Sequence, residues 1–474
     1  MALTKAQIKK SLQELGLKKG DIVLLHSSYI SMGPVQGGPK AVVDAFLEVL
    51  GKEGTFLVPV FGALGVITDE VKSRKDAVIS SAPVGTLAAI GKNAEKLLKD
   101  HWKADTAHGK DTPFTRIAAM DGYICLLGVD QDRNTTLHGV EALLELPYLR
   151  ETTATFKTPE GKTVTKTWKY YPGPHRDFIG LDKYLSGLSK LGRIGNAQVR
   201  LTPAADLFEV CLEIGKEDPA FVLCDNPSCM DCVKQRAAIF RARMAKESFT
   251  LSASSRLAGR FVPEMVENLF RIGMDNIELD YIQGLAWYKY NEKRLAAFRE
   301  EFAENNIKIT SLRLFTIPED LTPIIAGAKV LGVKELILPL NAPETALKAL
   351  TKEKLSLSFF NTNENAVAAA RLVTGLNGRF VFNGANFVTA GEKPFLMSYR
   401  LGRFIKTAVQ LDIADRTWEG EDTILAGGNG EIKELISIFR CRNFAGNLTL
   451  GGGVIYPGTL EEAAGDFIRL LDNM

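Results

Sequence analysis

Tyr123-Ile124-Cys125-Leu126-Leu127-Gly128-Val129, followed after four residues by Asn134-Thr135-Thr136-Leu137-His138-Gly139-Val140-Glu141, decides the fold class of this chain. The first run is continuously apolar, as in a strand buried on both faces, and the second opens a helical run expected over Glu141 to Leu146. A polar Asn/Thr loop between a buried strand and a helix opens at the strand's C-terminal end, where α/β enzymes carry reactive side chains. His138 is therefore the first candidate for a catalytic base. Glu141 lies three residues on, so the two share a helix face and the carboxylate can orient the imidazole. On spacing alone the same residues also read as a capped helix start with a solvated His and Glu.

Other strand-helix alternations surround this one. Asp21 to Leu25 reads as a strand running into His26-Ser27-Ser28-Tyr29-Ile30-Ser31-Met32-Gly33, then Gly37-Gly38, a helix from Pro39 to Leu50 and a strand from Gly54 to Val60. Hydroxyls and glycines at such a turn present backbone N–H groups to a phosphate or a developing oxyanion, or else simply cap the helix. Neither a Walker nor a dinucleotide fingerprint is present, which disfavours nucleotide hydrolysis and hydride transfer.

The chain has 474 residues, enough for two or three domains, with 46% hydrophobic and 24% charged residues, a globular composition. A formal net charge of +2 gives no general attraction to nucleic acid or anionic membranes. The first residues, Met1 to Gly16, form an amphipathic pattern on Ile8, Leu12 and Leu15, and no apolar run reaches the ~18 residues of a membrane span. The expected location is cytoplasmic, and six cysteines fit a reducing compartment. All five histidines, His26, His101, His108, His138 and His175, fall in the first half, so imidazole chemistry is expected there.

The succession GDIVLLHSSYISMG, GGPKAVVDAFLEVLGKEGTFLVPVF and DGYICLLGVDQDRNTTLHGVEAL, continuing through Tyr148-Leu149-Arg150, Trp168 and Gly192-Arg193-Ile194-Gly195-Asn196-Ala197, closely resembles the aminoglycoside 3-N-acetyltransferase family. The resemblance implies an α/β/α acetyltransferase domain over residues 1–222 that moves an acetyl group from acetyl-CoA to an amine. It further implies that Thr135, His138 and Glu141 are catalytic, with His138 the base, and that Ser27, Ser28, Ser31 and Gly33 form the acetyl-CoA site. Two departures stand out. The segment Phe61 to Ser80 is short, and Ala82-Pro83-Val84-Gly85-Thr86 replaces a histidine-bearing segment of the aminoglycoside-modifying relatives. Part of a pocket for polycationic substrates is thus expected to be missing.

Cys224, Cys229 and Cys232 lie within nine residues, and Cys211 precedes them by thirteen. The C-x4-C-x2-C spacing is compatible with a structural zinc completed by Cys211, but reduced thiols on a loop, in a linker over 223–246, are the favoured reading.

From residue 247 onward the alternation becomes regular. Strands are expected at Thr250–Ser252, Asn276–Leu279, Ile309–Phe315, Glu335–Leu340, Leu355–Phe360, Phe380–Phe382, Ala408–Ile413 and Asn447–Leu450, the eight strands of a C-terminal (β/α)8 TIM barrel over 247–474. Intervening helices are expected at Val262–Ile272, Glu292–Glu304, Glu364–Leu376 and Leu460–Leu471. Gly273 to Leu279 and Gly428 to Ile432 resemble xylose-isomerase-like sugar phosphate isomerase/epimerase barrels. At the matching strand ends stand Phe360-Asn361, Asn383 to Asn386, Gln410 to Asp412 and Gly451-Gly452, where that family places metal ligands. Neutral amides bind a divalent cation poorly, so the barrel is expected to be metal-free and without isomerase chemistry. Glu278, Asp412 and Asp415 read as isolated carboxylates on a polar pocket rim.

The expected activity is acetyl transfer from acetyl-CoA to a small-molecule amine acceptor, an amine-bearing sugar or related metabolite, with no nucleic-acid or membrane partner. A non-catalytic sugar-binding or scaffolding protein, and a metal-dependent sugar isomerase, are the alternatives. For the barrel itself, sugar binding where the asparagines gather, assembly of a homo-oligomer and plain stabilisation stay open.

Overall fold

In a computed structural model, which describes residues 2–62, 64–171, 176–376, 379–396 and 404–474, the chain divides into two units, Met1–Gln235 and Arg236–Met474. The segment 223–246, expected as a linker, contains the helix Met230–Met244.

The first unit is built on a mixed seven-stranded sheet. Its strands are β1 (Ile22–Ser27), β2 (Thr55–Pro59), β3 (Val78–Ile79), β4 (Leu87–Gly91) and β5 (Tyr123–Leu127), followed, after a separate hairpin, by β8 (Lys190–Ile194) and β9 (Ala197–Pro203). Their spatial order is β3-β4-β2-β1-β5-β9-β8. The strands β2, β1 and β5 are mutually parallel at the centre, with Leu25 opposite Cys125 and Ser27 opposite Leu127, while β4 and β9 flank them antiparallel. This is why the central strands lack polar alternation: neither face of Val23-Leu24-Leu25 meets water. The first helix, Lys5–Glu14, starts with a capping box between Thr4 and Gln7 and buries Ile8 and Leu12. The separate hairpin, β6 (Arg150–Lys157) with β7 (Thr163–Tyr170), was not foreseen. Its residues alternate between exposed and half-buried, which leaves little hydrophobic signal beyond buried Trp168.

The second unit is a closed barrel of eight parallel strands, Thr250–Ser254, Asn276–Leu279, Lys308–Arg313, Glu335–Pro339, Ser356–Phe360, Arg379–Asn383, Ala408–Ile413 and Asn447–Leu450. All eight expected strands are present, and the helices Val262–Ile272 and Glu292–Glu304 have the expected bounds. The helix expected from Glu364 begins at Ala366, because Asn365 caps it by accepting from the Ala368 N–H.

The reading of Glu278 and Asp412 as rim carboxylates is corrected. Both side chains are 0% exposed, and between them lies Arg313, also 0% exposed, whose Nε donates to Glu278 Oε1 at 2.6 Å and whose Nη2 donates to Asp412 Oδ1 at 2.7 Å. Gln410 Nε2 donates to both carboxylates, and Asn383 Nδ2 to Asp412 Oδ2. Asp415 is buried as well and accepts the N–H groups of Arg416, Gly428 and Gly430, so it fixes a loop. The asparagines likewise do not gather at an open mouth, since Asn361, Asn383 and Asn386 are buried. An open cavity of about 650 Å³ lies elsewhere on the barrel, lined by Arg256, Arg260, Tyr281, Gln283 and Thr459 among others.

Candidate active site

Parallel pairing of β1 with β5 sets the two loops singled out in the sequence side by side, because both leave C-terminal ends of adjacent strands. The Ser28 N–H donates to the Leu127 carbonyl at 2.9 Å, and Ser31 Oγ lies 2.9 Å from Ser28 Oγ and 3.1 Å from the Gly128 carbonyl. Gly128 has φ +66°, and a Cβ there would stand 2.6 Å from that of Ser31, so only glycine lets the loops approach this closely. The Asn196 N–H donates to Met32 O at 3.2 Å, which seats the β8–β9 turn beside Gly33.

The helix expected from Glu141 begins four residues earlier, at Leu137, and ends at Leu143. Asn134 Oδ1 accepts the Thr136 N–H, a local turn that starts the helix and places His138 in its first turn. Nδ1 of His138 lies 2.6 Å from Glu141 Oε2, the contact that three-residue spacing anticipated. Glu141 is fully buried, and its other oxygen accepts from Tyr148 OH at 3.0 Å and Arg176 Nε at 2.8 Å. Arg176 Nη1 in turn donates to Gln235 Oε1 at 2.7 Å. Burial, and next Glu141 itself, raise the Tyr148 phenol above its ordinary value, which keeps it a donor. Arg176 and Gln235 were missed in the sequence, since 35 and 94 residues separate them from Glu141 and no local pattern links them.

Thr135 and Thr136, just before His138, have buried hydroxyl oxygens with no hydrogen-bond partner among the described residues. A second imidazole, His108, stands beside His138 with ring centroids 5.4 Å apart, and its Nε2 is also buried without a partner among the described residues. Gly139 permits this approach, because a Cβ there would meet the His108 carbonyl at 3.0 Å. Sequence reading counted His108 but gave it no role. His175 lies outside the described residues.

Burial lowers the pKa of His26 to about 4 and that of His101 to about 4, and holds His108 well below its ordinary value, to which neighbouring His138 adds. A histidine whose folded pKa is depressed contributes stability that is complete above its unfolded value, about 6.5, and is lost as the pH falls towards the folded value. For His26 and His101 this amounts to on the order of 3 kcal/mol each between pH 6.5 and 4. The denaturation midpoint of the first unit is therefore expected to fall steeply below about pH 6.5, and a His26→Leu variant to show a flatter fall. A midpoint independent of pH over that range would contradict the neutral burial of these rings.

The sulfur atoms of Cys224, Cys229 and Cys232 all lie within 4.8 Å of one another, whereas Cys211 is not part of that group. Cys211 is buried in the helix Ala204–Glu217, where burial pushes its thiol up to about 12, and the expectation that it completes a four-cysteine site is corrected.

Residues 24–63 and 61–214 match the profile of the family described as Aminoglycoside 3-N-acetyltransferase, all within the first unit. Aminoglycoside N(3)-acetyltransferase IV of Salmonella sp is 29% identical over 237 residues, covering 46% of this chain and 90% of the relative. Aminoglycoside N(3)-acetyltransferase IX of Micromonospora chalcea is 27% identical over 263 residues, covering 44% of this chain and 92% of the relative. Among solved structures, a mutant of aminoglycoside acetyltransferase AAC(3)-IVa in complex with a gentamicin is 28% identical, covers 50% of this chain and 98% of that one, and has a TM-score of 0.47. An aminoglycoside 3-N-acetyltransferase-type domain thus occupies the N-terminal half of the chain. The C-terminal half is a (β/α)8 barrel. No helix among the described residues is long and apolar enough to cross a membrane.

Proposed function

We propose that the first unit transfers the acetyl group of acetyl-CoA to the amine of a small metabolite, with His138 as general base. The observation that carries this reading is the 2.6 Å contact of His138 Nδ1 with Glu141, whose own position is fixed from the far side by Tyr148 and Arg176. With Nδ1–H donating to the carboxylate, the lone pair of Nε2 is left to take a proton from the acceptor amine. The amine nitrogen then bonds to the thioester carbonyl carbon, and negative charge gathers on the carbonyl oxygen. The buried hydroxyls of Thr135 and Thr136, which have no other partner among the described residues, are suited to donate to that oxyanion. Collapse breaks the carbon–sulfur bond, and the coenzyme A thiolate leaves and recovers the proton from His138. The loop bearing Ser27, Ser28, Ser31 and Gly33 is assigned to acetyl-CoA, supported by its place beside the Asn134–His138 loop.

The acceptor is read as an amine-bearing sugar or related metabolite rather than a large polycation. A polyamine substrate needs several unpaired carboxylates around it, whereas in the shortened segment Glu70 is paired with Arg74 and only Asp69 and Asp76 remain. We read the barrel as related to the sugar phosphate isomerase/epimerase barrels but without their chemistry, since Arg313 already pairs with both Glu278 and Asp412 and a divalent cation would have to displace it.

Calorimetric titration with acetyl-CoA tests the reading. Saturable binding is expected, and no binding at millimolar ligand overturns it. With acetyl-CoA bound, gentamicin and kanamycin are expected to be turned over with kcat/KM below about 10⁴ M⁻¹s⁻¹, the low end for natural substrates. Faster turnover would refute the restricted acceptor while leaving acetyl transfer standing.

A further inference from the structure

We propose that Cys224, Cys229 and Cys232 bind one zinc-class cation as three thiolates, with the fourth position taken by water or an exogenous ligand. A tetrahedral ion with metal–sulfur bonds of about 2.3 Å holds its sulfurs about 3.8 Å apart. The three sulfurs here all lie within 4.8 Å of one another, with Cys224 Sγ and Cys232 Sγ at 3.4 Å, so small adjustments admit the ion. A disulfide would satisfy two of the sulfurs and leave the third against it.

The backbone brings the three together from separate directions. Cys224 follows Leu223, which bridges antiparallel to Arg176, and the Asp177 N–H donates to Val222 O at 2.9 Å. Asn226 then makes a turn, its side chain accepting the Ser228 N–H at 3.0 Å and its carbonyl the Cys229 N–H at 3.0 Å. The Cys229 carbonyl accepts the Val233 N–H at 3.0 Å as the helix Met230–Met244 begins, and Cys232 projects from its first turn. A group made of three soft thiolates selects zinc over magnesium or calcium.

Such an ion has a structural task. Gln235, three residues after Cys232 and on the same helix face, holds Arg176, and Arg176 holds Glu141 against His138. Fixing the first helical turn fixes the origin of that chain of contacts, so the three cysteines are positioning residues.

The test uses the full chain purified without chelator. Elemental analysis is expected to find about one zinc per chain, reduced to below a tenth in Cys229→Ser and unchanged in the control Cys441→Ser, which alters an exposed cysteine of the other unit. Replacing zinc by cobalt in the unaltered chain is expected to give a thiolate-to-cobalt charge-transfer band and the visible spectrum of a tetrahedral site. This readout does not depend on a variant folding. Removing the metal is expected to move the His138 ring resonances at constant pH. Less than a tenth of a metal per chain, iron in place of zinc, no cobalt band, or a disulfide within the cluster would overturn the site. Unmoved His138 ring resonances would overturn its positioning role. None of the three readouts involves acetyl transfer, so failure here is separable from failure of the proposed activity.

Discussion

His138→Ala is expected to lower acetyl transfer by about 10²- to 10⁴-fold while leaving acetyl-CoA affinity within a few-fold of the unaltered protein. The imidazole meets Glu141 through Nδ1, so what is removed is the proton acceptor at Nε2 and no part of the loop assigned to the coenzyme. The side chain packs beside the His108 and Phe178 rings but stays 13% exposed, so the space its truncation leaves opens to solvent and is not a sealed core cavity. The residual rate is expected to lose the pH dependence that a titrating base imposes. Steady-state kinetics with any accepted amine, paired with the acetyl-CoA titration, decide the matter: a variant as fast as its parent would remove His138 from the mechanism. Glu141→Gln is a poorer test. It leaves the buried Arg176 cation beside a neutral amide, and breaking such a pair costs about 3–5 kcal/mol, which confounds activity with stability.

Arg313→Met is expected to destabilise the barrel by about 3–5 kcal/mol. Glu278 and Asp412 would then face each other with no exposure to solvent and no cation between them. The side chain also lies over the Phe360 ring, with its guanidinium carbon 5.1 Å from the centroid, and methionine retains much of that apolar contact. The loss is therefore chiefly electrostatic. Burial first, and Asp412 as well, raise the Glu278 carboxyl above its ordinary pKa even though Arg313 opposes the shift. A carboxyl raised in the folded state contributes stability below its unfolded pKa and loses it as pH rises through the folded one. Removing Arg313 strengthens the rise, so the deficit of the variant should shrink on acidification. Urea unfolding of the barrel at neutral and at mildly acidic pH measures both effects. The triple change Arg313→Met, Glu278→Gln, Asp412→Asn, which takes away the charges together, should recover much of the loss. Equal stability of Arg313→Met and the parent at neutral pH would mean that the three groups are not charged as their contacts imply.

The sequence determined what is local. Strand runs such as Leu336-Ile337-Leu338 and helix patterns such as Val262–Ile272 are set by the periodicity with which apolar side chains must meet one interior, and that periodicity is visible residue by residue. The pairing of His138 with Glu141 was legible for the same reason, since three residues make less than one helical turn. Only the tertiary structure decided which distant groups complete these sites. Pairing of β1 with β5 brings the serine loop to the histidine loop, and Arg176 reaches Glu141 across 35 residues. Cys211, near the other thiols in sequence, is instead buried in its own helix, and Glu278 and Asp412, which look isolated in the chain, share one arginine. A buried charge requires a partner wherever the chain can supply one, and sequence patterns carry no record of which distant residue that is.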